Sequence, residues 1–232
     1  MTPERTVEDY IKAVYKLQRT GARVTTSALA AELRLADASI TDMIKKLSRK
    51  GYLRYVPYQG VDLTEQGRRT ALKIVRRHRL WEMYLVRFLK FSWDKVHDEA
   101  ERLEHAVSAD FESKLVQKLG RGGLCPHGNL MTPEDAASRK KRGLTLLSTA
   151  ETGKPYMVRS IYERDRRLLE FLESRGIRPG AWLRLLERNY DQTLTVANQV
   201  GSFPLGAAAA ERVWVEKQKT PATPRKSALT QV

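Results

Sequence analysis

The chain has 232 residues, 41% of them apolar, and carries 42 Lys/Arg against 27 Asp/Glu for a net charge of +15. That length allows about two domains, and the basic balance points to a polyanion partner, with nucleic acid ahead of a membrane surface. The single cysteine, Cys125, excludes an intrachain disulfide framework, no apolar run is long enough to span a membrane, and no signal-peptide pattern is seen, so a cytoplasmic protein is expected.

Taken along the chain, Val7, Tyr10, Ile11, Val14, Tyr15 and Leu17 recur at helical spacing and predict a first helix over 4–19. Thr25-Thr26-Ser27 offers caps for a short helix, Ala28 to Leu33. Asp37 or Ser39 then caps another, which runs through Ile40, Met43, Ile44 and Leu47 and stops at Lys50-Gly51. Residues 52–56 and 61–63 read as two strands about a turn at Pro57-Tyr58-Gln59-Gly60. Helix, turn, helix and hairpin are the parts of a winged helix-turn-helix. In its second helix Ile40, Met43, Ile44 and Leu47 form the inward stripe, leaving Ala38, Ser39, Thr41, Asp42, Lys45, Lys46 and Arg49 outward. Small residues at the helix start let it approach base edges, so Ala38, Ser39 and Thr41 are candidate readers, with Lys45, Lys46 and Arg49 on phosphates.

Thr64 opens a long helix over about 65–90, which carries His78 and Glu82 at i and i+4. A helix starting at Trp93-Asp94 follows, then another over 108–119. Charge is uneven: residues 1–79 sum to +9, residues 80–115 to −3 and residues 116–232 to +9. The acidic island holds His97, Glu101, Glu104 and His105 at i, i+4, i+7 and i+8, one stripe of a helix. Imidazoles and carboxylates on one face, beside the His78/Glu82 pair, are the donors of a divalent-metal site. The alternative is a solvated acidic helix.

Beyond residue 120, glycines and prolines mark an irregular connector, and residues 137–154 read as a basic linker. Strand-like segments at 156–161, 193–197 and 212–216, with a short helix over 166–174, suggest a small barrel. Residues 218–232 are expected to be a disordered tail.

These residues resemble the metal-dependent repressors of the DtxR/MntR type. The resemblance rests on Glu8-Asp9-Tyr10-Ile-x3-Tyr15-x-Leu17, Leu63-Thr64-x2-Gly67, Arg77-His78-Arg79-Leu80-x-Glu82, Trp93-x3-His97-x3-Glu101-x2-Glu104-His105 and Cys125-Pro-His127-Gly-Asn129. It covers nearly the whole chain. The fold implied is mainly α with small β: a winged helix-turn-helix over 1–75, a helical metal-binding and dimerisation domain over 76–140, and an SH3-like or FeoA-like domain over 155–217. The function implied is a homodimer that binds pseudo-palindromic double-stranded DNA operators when Mn(II) or Fe(II) is bound. Carried over, a primary metal site draws on Asp9, Glu101, Glu104 and His105, and an ancillary one on His78, Glu82 and His97. In streptococcal-type members the position of Glu82 instead joins residues matching Cys125 and His127, with a last-domain carboxylate for which Glu163 and Asp165 are both candidates.

Two departures from the family pattern matter. Iron-type members place Met and Cys where this chain has Asp9 and Glu101, so Mn(II) is the expected metal. Two-domain manganese members place a Glu at Lys12, so a closely spaced metal pair using that position is not expected. Dimer contacts are expected from Leu85, Phe88, Leu89, Phe91, Trp93, Leu115 and Leu119. A metal-dependent hydrolase is the rival reading, but no HExxH motif appears and it would leave the DNA-reading half unexplained. A winged-helix regulator of organic ligands is the third; its DNA binding would survive chelation.

Overall fold

The computed structural model describes residues 5–19, 23–57, 59–120 and 123–218. The described residues form two compact units: those within 1–92, 96–125 and 130–135 in one, and those within 93–95, 126–129 and 136–218 in the other.

The first unit begins with α1 (Arg5–Gln18), α2 (Thr26–Leu33) and α3 (Asp37–Arg49). Thr25 caps α2 through its side chain, accepting from the Ala28 amide. The expected cap of α3 is not made: Asp37 is already the first helical residue, Ala36 is the N-cap, and no side chain caps the helix. Ile40, Ile44 and Leu47 are fully buried in one core with α1 residues such as Ile11 and Val14, while Met43 is half-buried. The hairpin pairs β1 (Leu53–Val56) with β2 (Gly60–Leu63) in the register Leu53↔Leu63; Tyr58, at its turn, lies outside the described residues.

Thr64 then caps α4 (Glu65–Leu89) by accepting from the Gly67 amide. Gly67 is needed for close approach, since a Cβ there would stand 2.1 Å from the Tyr52 carbonyl oxygen. That contact seats the long helix directly on the hairpin. Two shorter helices, α5 (Val96–Leu103) and α6 (Ala109–Leu119), pack on α4 around Leu80, Met83, Leu85, Val96, Ala100 and Leu115.

The second unit is a six-stranded antiparallel sheet. Its order is β3 (Leu144–Leu146), β8 (Val213–Lys217), β4 (Pro155–Ile161), β5 (Trp182–Arg188), β6 (Leu194–Asn198) and β7 (Gly201–Leu205). The helix α8 (Arg166–Ser174) buries Leu168, Leu169 and Leu172 in the same core as Val158, Leu185, Val196 and Val215. Residues 137–154, expected as a linker, instead form most of α7 (Ala136–Lys141), β3 and a single 3-10 turn. The reason is apolar: Leu144, Leu147 and Ala150 are buried, and β3 pairs with β8. The short α9 (Ala207–Ala210) was not legible as a helix. Apart from Gln218, the tail expected to be disordered lies outside the described residues. No described helix is long and apolar enough to cross a membrane.

Candidate metal centre and nucleic-acid face

The acidic stripe splits in two, because α5 ends at Leu103 and the Ala106 amide bonds back to the Leu103 carbonyl in a turn. Glu104 and His105 therefore sit in that turn and not on the helix proper. This corrects the single-face reading: His97 and Glu101 face α4, while His105 is carried round toward α1. Arg77, from α4, fixes the turn by donating to the Glu104 carbonyl at 2.9 Å and lying 3.6 Å from Glu8.

On the α1 side, His105 Nδ1 lies 2.7 Å from Glu8 Oε2. Its Nε2 lies 2.9 Å from Asp9 Oδ1 and 3.1 Å from Glu104 Oε1. Neither oxygen meets that buried nitrogen along a good hydrogen-bond direction. One donor atom each from Asp9, Glu104 and His105 falls within 4.8 Å of the others. An imidazole nitrogen aimed between two carboxylates, and well bonded to neither, fits a divalent cation. Glu8, bound to the other ring nitrogen, is the outer partner that such a ligand needs to fix its orientation. Burial lowers the affinity of His105 for its proton, but Asp9, Glu104 and Glu8 outweigh that and push its pKa up to about 11.

On the α4 side, His78 Nδ1 lies 2.7 Å from Glu104 Oε2 and its Nε2 lies 3.0 Å from Glu82 Oε1 and 2.9 Å from His97 Nδ1. His97 Nε2 is 3.5 Å from Glu101. A donor atom each from His78, His97 and Glu101 again falls within 4.8 Å of the others. Burial would lower the His78 pKa, but the Glu82 and Glu104 carboxylates raise it. His97 moves down, through burial and then the charge of His78. Glu104 bridges the two clusters. Burial would raise its pKa, yet His105, His78 and Lys12 hold it well below the carboxylate range.

Lys12 stands between these clusters. Its Nζ is 2.8 Å from Glu101 Oε1 and 2.6 and 2.8 Å from the two Glu104 oxygens. The sequence motifs give no ligand role to Glu8 or Arg77, and mark Lys12 only as a departure from the family pattern. A signal existed: Glu8 and Lys12 lie at i and i+4 on a helix whose other inward residues are apolar. In the first unit Cys125 is buried. In the second, His127 Nε2 donates to the Trp93 carbonyl at 2.8 Å, leaving Nδ1 as the ring's acceptor nitrogen. Gly128 follows at φ 78, where a Cβ would meet the Arg159 carbonyl. Of the two last-domain carboxylates, Asp165 caps α8 and pairs with Arg212 at 2.6 Å, while Glu163 accepts from Asn129.

On α3, Ala38, Ser39, Lys45, Lys46 and Arg49 are exposed. Thr41 is half-buried and its hydroxyl donates to the Asp37 carbonyl at 3.2 Å. Lys45, Ser48, Arg49 and Tyr55 line one depression between α3 and the hairpin, so Tyr55, expected from the sequence beside the DNA backbone, stands next to the α3 cations, and Ser48 joins them. Arg54, on the hairpin, pairs with Asp62 at 3.1 Å.

A winged helix-turn-helix joined to a helical unit with buried His/carboxylate clusters defines a DNA-binding regulator that responds to a metal. Residues 4–61 match the iron dependent repressor N-terminal DNA binding domain, residues 64–133 the iron dependent repressor metal binding and dimerisation domain, and residues 145–217 the FeoA domain. The iron-dependent repressor IdeR of Mycobacterium tuberculosis is 31% identical over 189 residues, covering 76% of this chain and 81% of the relative. IdeR of Mycobacterium leprae is 30% identical over the same span. A solved structure of a manganese-dependent transcriptional repressor in complex with manganese superposes with a TM-score of 0.79 at 33% identity, covering 91% of this chain and all of that one. The manganese regulator SloR superposes at 0.74, with 27% identity over 94% of this chain and all of that one. The chain belongs to the iron-dependent repressor (DtxR/IdeR/MntR) family. It is a metal-dependent transcriptional repressor and not an enzyme; its cofactor is a divalent metal and its partners are DNA and a second copy of itself.

Proposed function

We propose that the repressor responds to Mn(II), with Fe(II) as a second activator, and that its primary ligands are Asp9, Glu104 and His105, joined by Glu101. The observation that carries this is the buried His105 nitrogen set between the Asp9 and Glu104 oxygens. A bound divalent cation supplies a coordination shell in place of those imperfect contacts. Asp9 belongs to α1, which packs against the DNA-reading helices, and Glu104 and His105 belong to the turn that follows α5. Ligands drawn from both elements hold the reading head at one angle to the helical core. Ordering the recognition helix in advance removes a cost from DNA binding; such coupling is typically about 1–3 kcal/mol. His78, Glu82 and His97 serve as the ancillary set, and Cys125 and His127 keep the ligand role that the resemblance implies.

Manganese is preferred because Asp9 and Glu101 offer hard oxygens where sulfur ligands would favour softer metals. Intrinsic affinity cannot give this preference, since Mn(II) binds among the weakest of its row, so the carboxylates must allow a larger shell than tetrahedral zinc wants. The two-fold dimer reads a pseudo-palindrome. Anaerobic titration with Mn(II), Fe(II), Co(II) and Zn(II), read by DNA binding, tests the assignment. The double variant Asp9→Met with Glu101→Cys should lower the Mn(II) response relative to Fe(II) or Co(II). If it keeps the parent's metal ranking, these positions do not set selectivity.

A further inference from the structure

Lys12 is only 5% exposed, yet it is a charged side chain on the inward face of α1. Its ammonium has three protons, and three carboxylate oxygens lie within 2.8 Å: Glu101 Oε1 and both oxygens of Glu104. One of them, Glu104 Oε1, is also the oxygen 3.1 Å from His105 Nε2. The ammonium thus sits on the carboxylates proposed as ligands and draws α1 toward the turn that follows α5. We propose that Lys12 is a tethered cation that competes with the divalent metal for Glu104 and Glu101, and so sets the metal concentration at which the repressor responds. The inference rests on the ligand assignment above.

Two positive groups sharing the oxygens of one fully buried carboxylate repel strongly, because little water screens them. To admit a metal, Lys12 must surrender Glu104 Oε1. Its exit is toward Glu101, the more exposed of its two partners, with 39% of that side chain accessible against none of Glu104. The energy of the Lys12 contacts is therefore subtracted from the binding energy of the metal. A merely structural ion pair predicts the opposite trend, since its loss would loosen the ligands and weaken the metal.

Calorimetric titration of the full chain with Mn(II) separates the two. Lys12→Met, which keeps most of the length and removes the charge, should bind Mn(II) about tenfold tighter or more. Its metal-free form should melt at a lower temperature, because Glu101 and Glu104 lose a partner. Lys12→Arg should keep the weak affinity of the parent, and Lys12→Gln should follow Lys12→Met. In the unaltered protein, an amine-acylating reagent should label Lys12 slowly without metal and faster with Mn(II), a readout that needs no variant to fold. Unchanged or weaker affinity in the neutral variants, or equal labelling in both states, overturns the inference. A parent chain that takes up no Mn(II) at all would instead overturn the ligand assignment.

Discussion

Glu104 is fully buried and meets three cationic or proton-bearing groups, Lys12, His78 and His105. Those contacts tie metal binding to pH. His105, with its pKa near 11, carries a proton at neutral pH and must lose it to ligate. Mn(II) uptake should therefore release protons, and apparent affinity should rise from pH 6 to pH 8, as calorimetry in buffers of different ionisation enthalpy would report. Without metal the trend is reversed. A histidine whose pKa rises from 6.5 to about 11 stabilises the fold fully below pH 6.5, and that stability is lost as pH climbs toward 11. Glu104, held below its ordinary 4.5, stabilises above pH 4.5 and loses this as pH falls through its lowered value. The metal-free chain should thus melt highest between about pH 4.5 and 6.5. A melting temperature that climbs steadily from pH 6.5 to 10 would contradict this. At this scale the sequence reveals the donors and not their pairing. His97 through His105 look like one stripe until the backbone turns at Leu103, which no residue spacing announces.

Among the elements, α3 carries small residues at the start of its outward face and cations at its end. Lys45→Ala, Lys46→Ala or Arg49→Ala should weaken binding to most DNA sequences alike and reduce the salt slope by about 1 each. Thr41→Ala should change base preference, with a cost of about 1–3 kcal/mol at one position if it touches a base. Filter binding across a salt series and a panel of sites distinguishes these outcomes. Lysine variants that shift sequence preference at constant salt slope would mean that α3 lies otherwise in the groove. The helix-turn-helix was legible because its stripe is strictly periodic: Ile40, Ile44 and Leu47 are the residues buried. The segment 137–154 was not, because its basic, glycine-bearing composition resembles a linker while three apolar residues secure it to the sheet. Edge strands such as β3, three residues long, leave too little periodicity to read.

For the molecule as a whole, the residues expected at the dimer contact divide. Leu85, Leu115 and Leu119 are buried within the first unit's own core, and Trp93 belongs to the second unit, where it donates to Glu173 at 2.7 Å. Phe88, Leu89 and Phe91 remain exposed in the first unit, as do Phe111 and Leu124. Exposed apolar side chains of this size are the material of a symmetric interface. Leu89→Asp should yield monomers in sedimentation and lower DNA affinity at least tenfold, because one half-site alone must then hold the protein. A variant that stays dimeric would place the contact elsewhere.

In the proposed mechanism a divalent cation held by Asp9, Glu104 and His105 licenses DNA binding. The most direct test is operator affinity at fixed ionic strength with saturating Mn(II) and after chelation, for the parent chain and for Glu104→Ala with His105→Ala. The parent should bind at least tenfold tighter with Mn(II), a gain within the usual range of about 1–3 kcal/mol for such coupling. The double variant should remain dimeric and show the same weak affinity in both conditions. Equal affinity of the parent with Mn(II) and after chelation, or a metal response that survives the loss of both ligands, would contradict it.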